Sequence, residues 1–172
     1  MRTIRQLTNN KFLNIKEVVD KENGVGGFQF AERRGVDSVA FICYDKAAEL
    51  FLLNTEYKPP INMFLKGAFG GSFDKAKEPI DIVIDEVKEE AGFTVTKKDV
   101  YMVGKVMVST QMNQFCYLYI VFVDKDKQED KKPQDKIEAL AKTTWDVEMD
   151  LYTLEDWKPI TILAMAQNKE II

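Results

Sequence analysis

The residues best suited to chemistry are three glutamates, at positions 86, 89 and 90, which fall in the run Asp85-Glu86-Val87-Lys88-Glu89-Glu90. On a regular helix these carboxylates lie within an arc of about 100° beside an apolar stripe. Like charges this close repel one another unless a cation lies among them. The pattern predicts either a cation site or a solvated acidic helix face, and helical spacing alone leaves both open.

Composition narrows the chemistry further. The chain has no histidine, which removes imidazole metal sites, Ser-His and Cys-His nucleophile pairs and histidine proton shuttles. Carboxylates favour hard cations such as Mg²⁺, with Mn²⁺ as a possible substitute. The formal net charge of −4 argues against general nucleic-acid binding but leaves room for one small phosphate ligand.

Several features bound the class of protein. The length of 172 residues predicts one domain. No apolar run approaches the ~20 residues that a membrane helix needs, and the first residues lack a signal-like apolar stretch, so a cytoplasmic location is expected and a membrane partner is not. Cys43 and Cys116 each lie in an apolar, strand-like run, which favours two buried free thiols over a disulfide.

The clearest predicted element is the helix that carries the glutamates. Pro79 suits a first helical turn and Gly92 suits the position just past a helix end. Between them, apolar residues recur at steps of three and four, which indicates one buried face. The preceding segment, residues 61–74, contains Gly67, Gly70 and Gly71 without a lasting period, and predicts a loop or a bulged strand.

The remaining elements are strands and one further helix. Residues 11–20 and 28–32 predict a first β-hairpin, and residues 38–44 and 49–54 a second one. Two more strands are expected at 100–108 and 115–123, the latter in the interior of the sheet because it is rich in β-branched and aromatic residues. A polar segment at 124–135 predicts a solvated, mobile loop, followed by a short strand at 143–147 and a helix at 159–168.

The glutamate helix and the glycine before it form a longer pattern, Gly71-x5-Lys77-x7-Asp85-Glu86-Val87-Lys88-Glu89-Glu90-Ala91-Gly92-Phe93. It resembles the box of the Nudix hydrolases, G-x5-E-x7-R-E-U-x-E-E-x-G-U, in which U is an apolar residue. The chain departs from that box at two positions, where the family's glutamate is Lys77 and its arginine is Asp85. Because both signs are reversed, attraction between the two positions survives if the side chains meet, and Glu78 is an alternative acid.

The resemblance extends to the branch that acts on ADP-ribose and nucleoside-diphosphate sugars. In that branch a Gln-Tyr-Arg-Pro-like segment ends a strand hairpin, and here Glu56-Tyr57-Lys58-Pro59-Pro60 stands in its place. The resemblance implies that Lys58 contacts a phosphate as a point charge rather than as a bidentate fork. The alternative is a surface strand end followed by a proline turn.

The resemblance also implies a metal and a reaction. Glu86, Glu89 and Glu90, with the carbonyl of Gly70, would hold one to three Mg²⁺ ions, and Gly71 would border the substrate. Water would attack one phosphorus of a pyrophosphate, and the products would be a nucleoside monophosphate and a phosphorylated partner. Glu138 is the first candidate for the general base and Glu129 the second, and an ordinary exposed acid is the alternative for either.

Base recognition and assembly follow from the same resemblance. Phe28, Phe30, Arg33 and Arg34 lie on or just after the N-terminal hairpin, which in similar enzymes crosses to a partner subunit and stacks on the nucleobase. The alternative is two core aromatics and two solvated arginines. A homodimer is therefore expected.

The predicted elements indicate a mixed sheet with two helices, of α/β or α+β type. The resemblance implies a Nudix-like α/β/α sandwich with an N-terminal β-hairpin. It also implies one Nudix hydrolase domain over residues 1–172, with 1–34 as the hairpin and dimerisation element and 35–172 as the core. Two other functions stay open. The reversed charges fit a catalytically weak or inactive Nudix-fold sensor, whereas the acidic charge disfavours an enzyme acting on the nucleotide cap of RNA.

Overall fold

The computed structural model describes residues 1–73, 77–131 and 140–172 and contains two β-sheets. The ten strands, in chain order, are β1 Arg2–Gln6, β2 Leu13–Asp20, β3 Val25–Arg33, β4 Ser38–Asp45, β5 Leu50–Lys58, β6 Met63–Gly67, β7 Phe69–Ser72, β8 Val100–Met107, β9 Phe115–Phe122 and β10 Lys142–Asp146. The α-helices are α1 Pro79–Glu86, α2 Glu148–Leu151 and α3 Trp157–Asn168.

The N-terminal sheet is small and antiparallel, with β2 between β1 and β3. It contains the predicted hairpin, β2–β3, and adds the strand β1, which the sequence interpretation did not include. Its register places Ile4, Val18 and Phe28 side by side across the three strands. Ile4 and Phe28 are 54% and 46% exposed, so this apolar row is open on the described chain.

The larger sheet is mixed and has the order β10-β5-β4-β9-β8, with β6 paired to β5 and β7 paired to β4. Among the described strands, only β4 and β9 pair in parallel, in register from Ser38 with Cys116 to Tyr44 with Phe122. Strand β9 has a neighbour on each side, so its predicted interior position is confirmed. The segment predicted as a loop or bulged strand contains β6 and β7, which extend the ladder beside β5 and β4.

Helices cover both faces of this sheet. On one face, Val83 and Val87 pack in a buried cluster with Phe41 and Tyr119. On the other face, Ile162, Leu163 and Ala166 of α3 pack in a second cluster. Alternate residues of β4 enter the two clusters, because side chains point to opposite faces along a strand. This arrangement is an α/β/α sandwich.

The glutamate helix is less regular than its sequence indicates. α1 ends at Glu86, and the next five residues, Val87–Ala91, form a π-helical turn that ends at Gly92 with φ 78°. The predicted helix and its end at Gly92 are confirmed, but the assumption of regular α-helical spacing across the three glutamates was wrong. π-turns within helices are rare and often lie at functional sites.

Most other predicted elements match the structure, including the C-terminal helix and both free, buried cysteines. The short helix α2 was not predicted. Within the predicted polar loop, Lys125–Lys127 forms a 3₁₀ turn, and the loop's last four residues lie outside the described chain. No helix of the described chain is long and apolar enough to cross a membrane.

Asp45 ties two loops of the sheet together and should make stability pH-dependent. Its carboxylate accepts from the backbone N–H of Ala47, Ala48 and Lys125 at 2.9, 3.0 and 2.8 Å, and the Lys125 contact is the main cause of its lowered pKa. A lowered pKa stabilises the fold above the unfolded value of about 3.9, and that stabilisation is lost as pH falls through the folded value. We expect Asp45→Ala to lower the free energy of unfolding by about 2–4 kcal/mol at pH 7.

Urea denaturation of wild type and Asp45→Ala at pH 7 and pH 3 measures this effect. The difference in the free energy of unfolding between the two proteins should be smaller at pH 3, because below about 3.9 the unfolded chain binds a proton at Asp45 more readily than the folded protein, whose Asp45 pKa is lowered. A gap that is equal at both pH values would contradict the assigned role of Asp45.

Candidate active site

The site is built where β7 leads toward the glutamate helix. An ideal Cβ placed on Gly71 would lie 2.6 Å from Oε1 of Glu86 and 2.9 Å from its Cγ. The missing side chain of Gly71 therefore leaves the space that the Glu86 carboxylate occupies. This contact gives a physical reason for glycine at the first position of the box-like pattern.

The three glutamates share a partly shielded environment. Each is half-buried, whereas Lys88, on the same turn, is exposed. The Oε2 atom of Glu90 is shielded from solvent. Each of the three carboxylates also takes part in a further interaction within the protein. The acidic patch is therefore not the freely solvated helix face that was the alternative interpretation.

Lys131 interacts electrostatically with this patch through Glu90. Burial lowers the pKa of its ammonium group, and the negative charge of Glu90 acts in the opposite direction. Its Nζ donates to the carbonyl of Ala141 at 3.2 Å. The chain thus places a half-buried positive charge within electrostatic reach of the glutamates.

The end of the glutamate helix is fastened to the segment after β9. The backbone N–H of Glu129 donates to the carbonyl of Gly92 at 2.7 Å, and Nε2 of Gln128 donates to the carbonyl of Ala91 at 2.9 Å. A Cβ on Gly92 would lie 2.2 Å from the carbonyl oxygen of Glu129. Glycine is required here both for its positive φ and for this close approach.

Lys77 and Asp85, whose charges are opposite to those of the box that the sequence resembles, contact each other. Nζ of Lys77 forms an ion pair with Oδ2 of Asp85, and this hydrogen bond is the main cause of the raised pKa of Lys77. The charge of Glu89 also contributes to that shift. The expectation that attraction survives the exchange of acid and base is confirmed, and Lys77 links the loop to the helix beside the glutamates.

Other ionisable groups are poor candidates for chemistry. Cys43 is fully buried, and desolvation raises the pKa of its thiol, as it does for Cys116. Burial raises the pKa of Tyr119 to about 12. All three therefore stay protonated near neutral pH, which leaves the carboxylates as the groups able to accept a proton.

The residues present suit a hard cation in chemistry but do not form a ready-made cage. In the ranges 1–73, 77–131 and 140–172, no group of three or more acidic or cysteine side chains converges in metal-binding geometry. Glu86, Glu89 and Glu90 offer carboxylate oxygens, the donors that Mg²⁺ prefers, and Gly70 is an exposed residue of β7.

Lys58 lies at the end of β5, where its Nζ pairs with Oε2 of Glu56 at 2.7 Å. Both side chains are half-buried and lie on the same side of the strand, two residues apart. Pro59–Ile61 follows as a 3₁₀ turn, so the predicted end of the hairpin at these prolines is close to the observed one. Binding of a phosphate by Lys58 stays a prediction.

The residues predicted to recognise a base are not equivalent. Phe28 is exposed, Phe30 is half-buried, and Arg34 is exposed with its backbone N–H bonded to the carbonyl of Phe12 at 2.8 Å. Arg33 is half-buried, and its Nη2 donates to Oγ of Ser72 at 2.6 Å. Arg33 therefore differs from the solvated arginine of the alternative interpretation.

Of the two residues predicted as the general base, the structure describes only Glu129. Glu138, the first candidate, lies outside the described residues. Glu129 is exposed and is held by its backbone at the end of the glutamate helix. Sequence reasoning did not single out Gln128, Lys131 or Ser72 at this site. Their roles depend on contacts between distant segments, and none of them belongs to a motif.

Comparison with known proteins addresses the fold. No family model matches the sequence, and no curated protein matches it significantly. Among solved structures, an ADP compounds hydrolase superposes with a TM-score of 0.75 and 14% sequence identity, covering 96% of this chain and 90% of that chain. The chain has the fold of that hydrolase. The expected α/β/α sandwich with a mixed sheet is thereby confirmed, while site and substrate are not tested by a likeness at this identity.

Replacement of Gly71 should displace Glu86 without unfolding the protein. Because the Cβ of Gly71→Ala would overlap the Glu86 carboxylate, the flexible glutamate has to rotate away. For the hydrolysis proposed below, we expect turnover to fall about 10- to 100-fold, with a change in melting temperature of no more than about 3 °C. Gly26→Ala is the matched control, since nothing lies within 4 Å of a Cβ there. Unchanged turnover in Gly71→Ala would contradict the assigned contact.

Exchanging the charges of Lys77 and Asp85 tests whether the attraction between them is sufficient or whether each position also needs its own charge. Lys77→Glu alone sets two carboxylates side by side, and Asp85→Arg alone sets two cations side by side. We expect each single variant to lose turnover about five- to tenfold and the double variant to recover to within about twofold of wild type. Steady-state kinetics of the four proteins measure the coupling. Additive losses would show that the pair does not act as a unit.

Proposed function

We propose that this protein is a Nudix-type pyrophosphohydrolase that uses Mg²⁺ to cleave a nucleoside-diphosphate compound. ADP-ribose, or a related nucleoside-diphosphate sugar or dinucleotide, is the proposed substrate. The observation that carries the proposal is the contact of Gly71 with Glu86 on a half-buried glutamate helix. The shared fold with an ADP compounds hydrolase supports the same reaction class.

The proposed cofactor is Mg²⁺, with Mn²⁺ as a substitute. Glu86, Glu89 and Glu90, with the carbonyl of Gly70, would hold it. When bound, the cation supplies positive charge beside the phosphates and acidifies water. Half-burial of the carboxylates strengthens their attraction for a cation relative to a fully solvated face.

The chain's own groups bind the substrate and move the proton. Lys58 binds a phosphate oxygen as a point charge, and Arg34, Phe28 and Phe30 contact the nucleoside. Water adds to one phosphorus as the bond from that phosphorus to the bridging oxygen breaks. A carboxylate accepts the proton of the water, and either Glu138 or Glu129 serves. The products are a nucleoside monophosphate and a phosphorylated partner.

A turnover screen tests the proposal. Purified protein is incubated with Mg²⁺ and, separately, with Mn²⁺, against ADP-ribose, ADP-sugars, NAD, FAD and diadenosine polyphosphates, and the products are resolved by chromatography. Hydrolysis of one compound to a nucleoside monophosphate, abolished by chelation of the metal, supports the proposal. An absence of hydrolysis across the set with either metal would refute it.

The alternative function is a sensor that binds a nucleotide without turning it over. The ion pair of Lys77 with Asp85 favours it, because it reverses the charges of the box beside Glu86 and Glu89. A nucleotide that raises the melting temperature without being consumed would support the sensor. Turnover that disappears in Glu90→Gln would exclude it.

We also propose a homodimer formed through the N-terminal sheet. The open row of Ile4, Val18 and Phe28 supports this, because a three-stranded sheet gains stability from covering its apolar face. Light scattering after size-exclusion chromatography measures the mass, and a monomer at micromolar concentration would refute the dimer. A single domain over residues 1–172 and a cytoplasmic location stay predictions of the sequence.

A further inference from the structure

Arg33 connects the N-terminal sheet to the glycine segment of the site. It is the last residue of β3, and its Nη2 donates to Oγ of Ser72 at 2.6 Å, with both residues half-buried. Ser72 directly follows Gly71, where the Glu86 carboxylate fills the space of the absent Cβ. The guanidinium group is therefore anchored one residue from the backbone that borders Glu86.

A second contact from the same turn holds the next residue of the chain. The carbonyl of Asp37 accepts from the backbone N–H of Phe73 at 3.1 Å. Within the turn, Val36 has φ 47° and donates its N–H to the carbonyl of Arg33 at 3.1 Å. A β-branched residue at positive φ is strained and persists only where its surroundings fix it. Residues 33–37 thus contact both Ser72, the last residue of β7, and Phe73, which follows it.

Two further contacts attach the N-terminal sheet elsewhere. The N–H of Ala31 donates to the carbonyl of Gln111 at 2.8 Å, and Nδ2 of Asn113 donates to Oε2 of Glu32 at 2.6 Å. Both end on the loop between β8 and β9. Of these three attachments, the Arg33 contact is the one that reaches β7 beside the glutamates.

We infer that Arg33 is a positioning residue that holds β7 against Glu86 and thereby makes the glutamate site depend on docking of the N-terminal sheet. The inference deepens the proposed function and rests on it for the role of Glu86. Arg33 acts through the hydroxyl of Ser72 and the backbone of Gly71, with no contact to the reacting groups.

The test compares Arg33→Ala, Arg33→Lys and Ser72→Ala with Arg5→Ala. Arg5 is the matched control, since it lies on the same sheet and pairs with Glu17 at 2.9 Å. Amide hydrogen exchange of β7 and the ¹³C chemical shift of the Glu86 carboxyl need no turnover. In Arg33→Ala and Ser72→Ala, β7 should exchange about tenfold faster and the Glu86 signal should move, whereas Arg5→Ala should match wild type. Arg33→Lys retains a hydrogen-bonding cation, so its β7 exchange rate should lie between those of wild type and Arg33→Ala.

The double variant Arg33→Ala/Ser72→Ala should be no worse than either single variant, because the two residues share one contact. With a substrate in hand, kcat of Arg33→Ala should fall about tenfold while KM changes less than threefold. Unchanged β7 exchange, a Glu86 signal that does not move, or unchanged kcat would each overturn the inference. If both spectroscopic changes occur but wild type hydrolyses no compound, the proposed function fails and the positioning role of Arg33 stands.

Discussion

Glu90→Gln should reduce Mg²⁺-dependent turnover about 100- to 1000-fold and leave the protein folded. The substitution keeps the size of the side chain and removes its charge. Oε2 of Glu90 is shielded from solvent, so its charge would act on the proposed cation with little screening. A loss of this size corresponds to about 3–4 kcal/mol of transition-state stabilisation, similar to the loss of one hydrogen-bond donor that stabilises a transition state in an enzyme site.

Steady-state kinetics and thermal melting of the same preparations make the measurement. Lys88→Gln is the matched control, because Lys88 lies two residues away on the same π-helical turn and is exposed. It should keep turnover within about twofold of wild type. Turnover of Glu90→Gln within about threefold of wild type would remove this glutamate from the proposed machinery.

Val87→Asp should unfold the domain. Val87 has no solvent exposure and packs in the cluster between the sheet and α1, and its carbonyl accepts from the N–H of Gly92. An aspartate there would be a buried carboxylate with no cation designed to pair with it, which costs about 4–5 kcal/mol or more. Domains are stable by only about 5–15 kcal/mol, so a cost of this size removes nearly all of the stability at the lower end of that range and about a third of it at the upper end.

Circular dichroism and urea denaturation at neutral pH measure this result, and Lys88→Asp is the control on the adjacent, exposed position. Lys88→Asp should shift the free energy of unfolding by less than about 1 kcal/mol. Equal melting temperatures for Val87→Asp and Glu90→Gln would contradict the division of this helix into a core face and a functional face.

The glutamate helix shows which structural features a local sequence pattern can predict. Pro79 and Gly92 predicted both of its ends, since these signals act over one or two turns. The apolar spacing predicted the buried Val83, Val87 and Ala91 but not the buried Ile82. The π-helical turn at Val87–Ala91 was not predicted, because the choice between α and π hydrogen bonding there depends on how the helix packs. The angular placement of the glutamates therefore required the structure.

The strands show the same limit. Buried strands such as β4 and β9 were predicted from apolar runs, because burial on both faces leaves a continuous signal. β6 and β7 were not predicted as two strands, because their glycines and mixed polarity hide the alternation of a strand. Their strand conformation depends on backbone pairing with β5 and β4. β1 was missed because all of its residues are exposed.

By itself, the sequence determined that three glutamates follow a glycine at box-like spacing, on a helix with a buried face and without histidine chemistry. These features depend on residues near one another in the chain, where spacing fixes geometry. Only the tertiary structure decided that Lys77 meets Asp85, that Glu86 fills the space beside Gly71, and that Arg33 holds Ser72. Those contacts join segments up to 39 residues apart, and their formation depends on how the sheet and helices pack rather than on any local period.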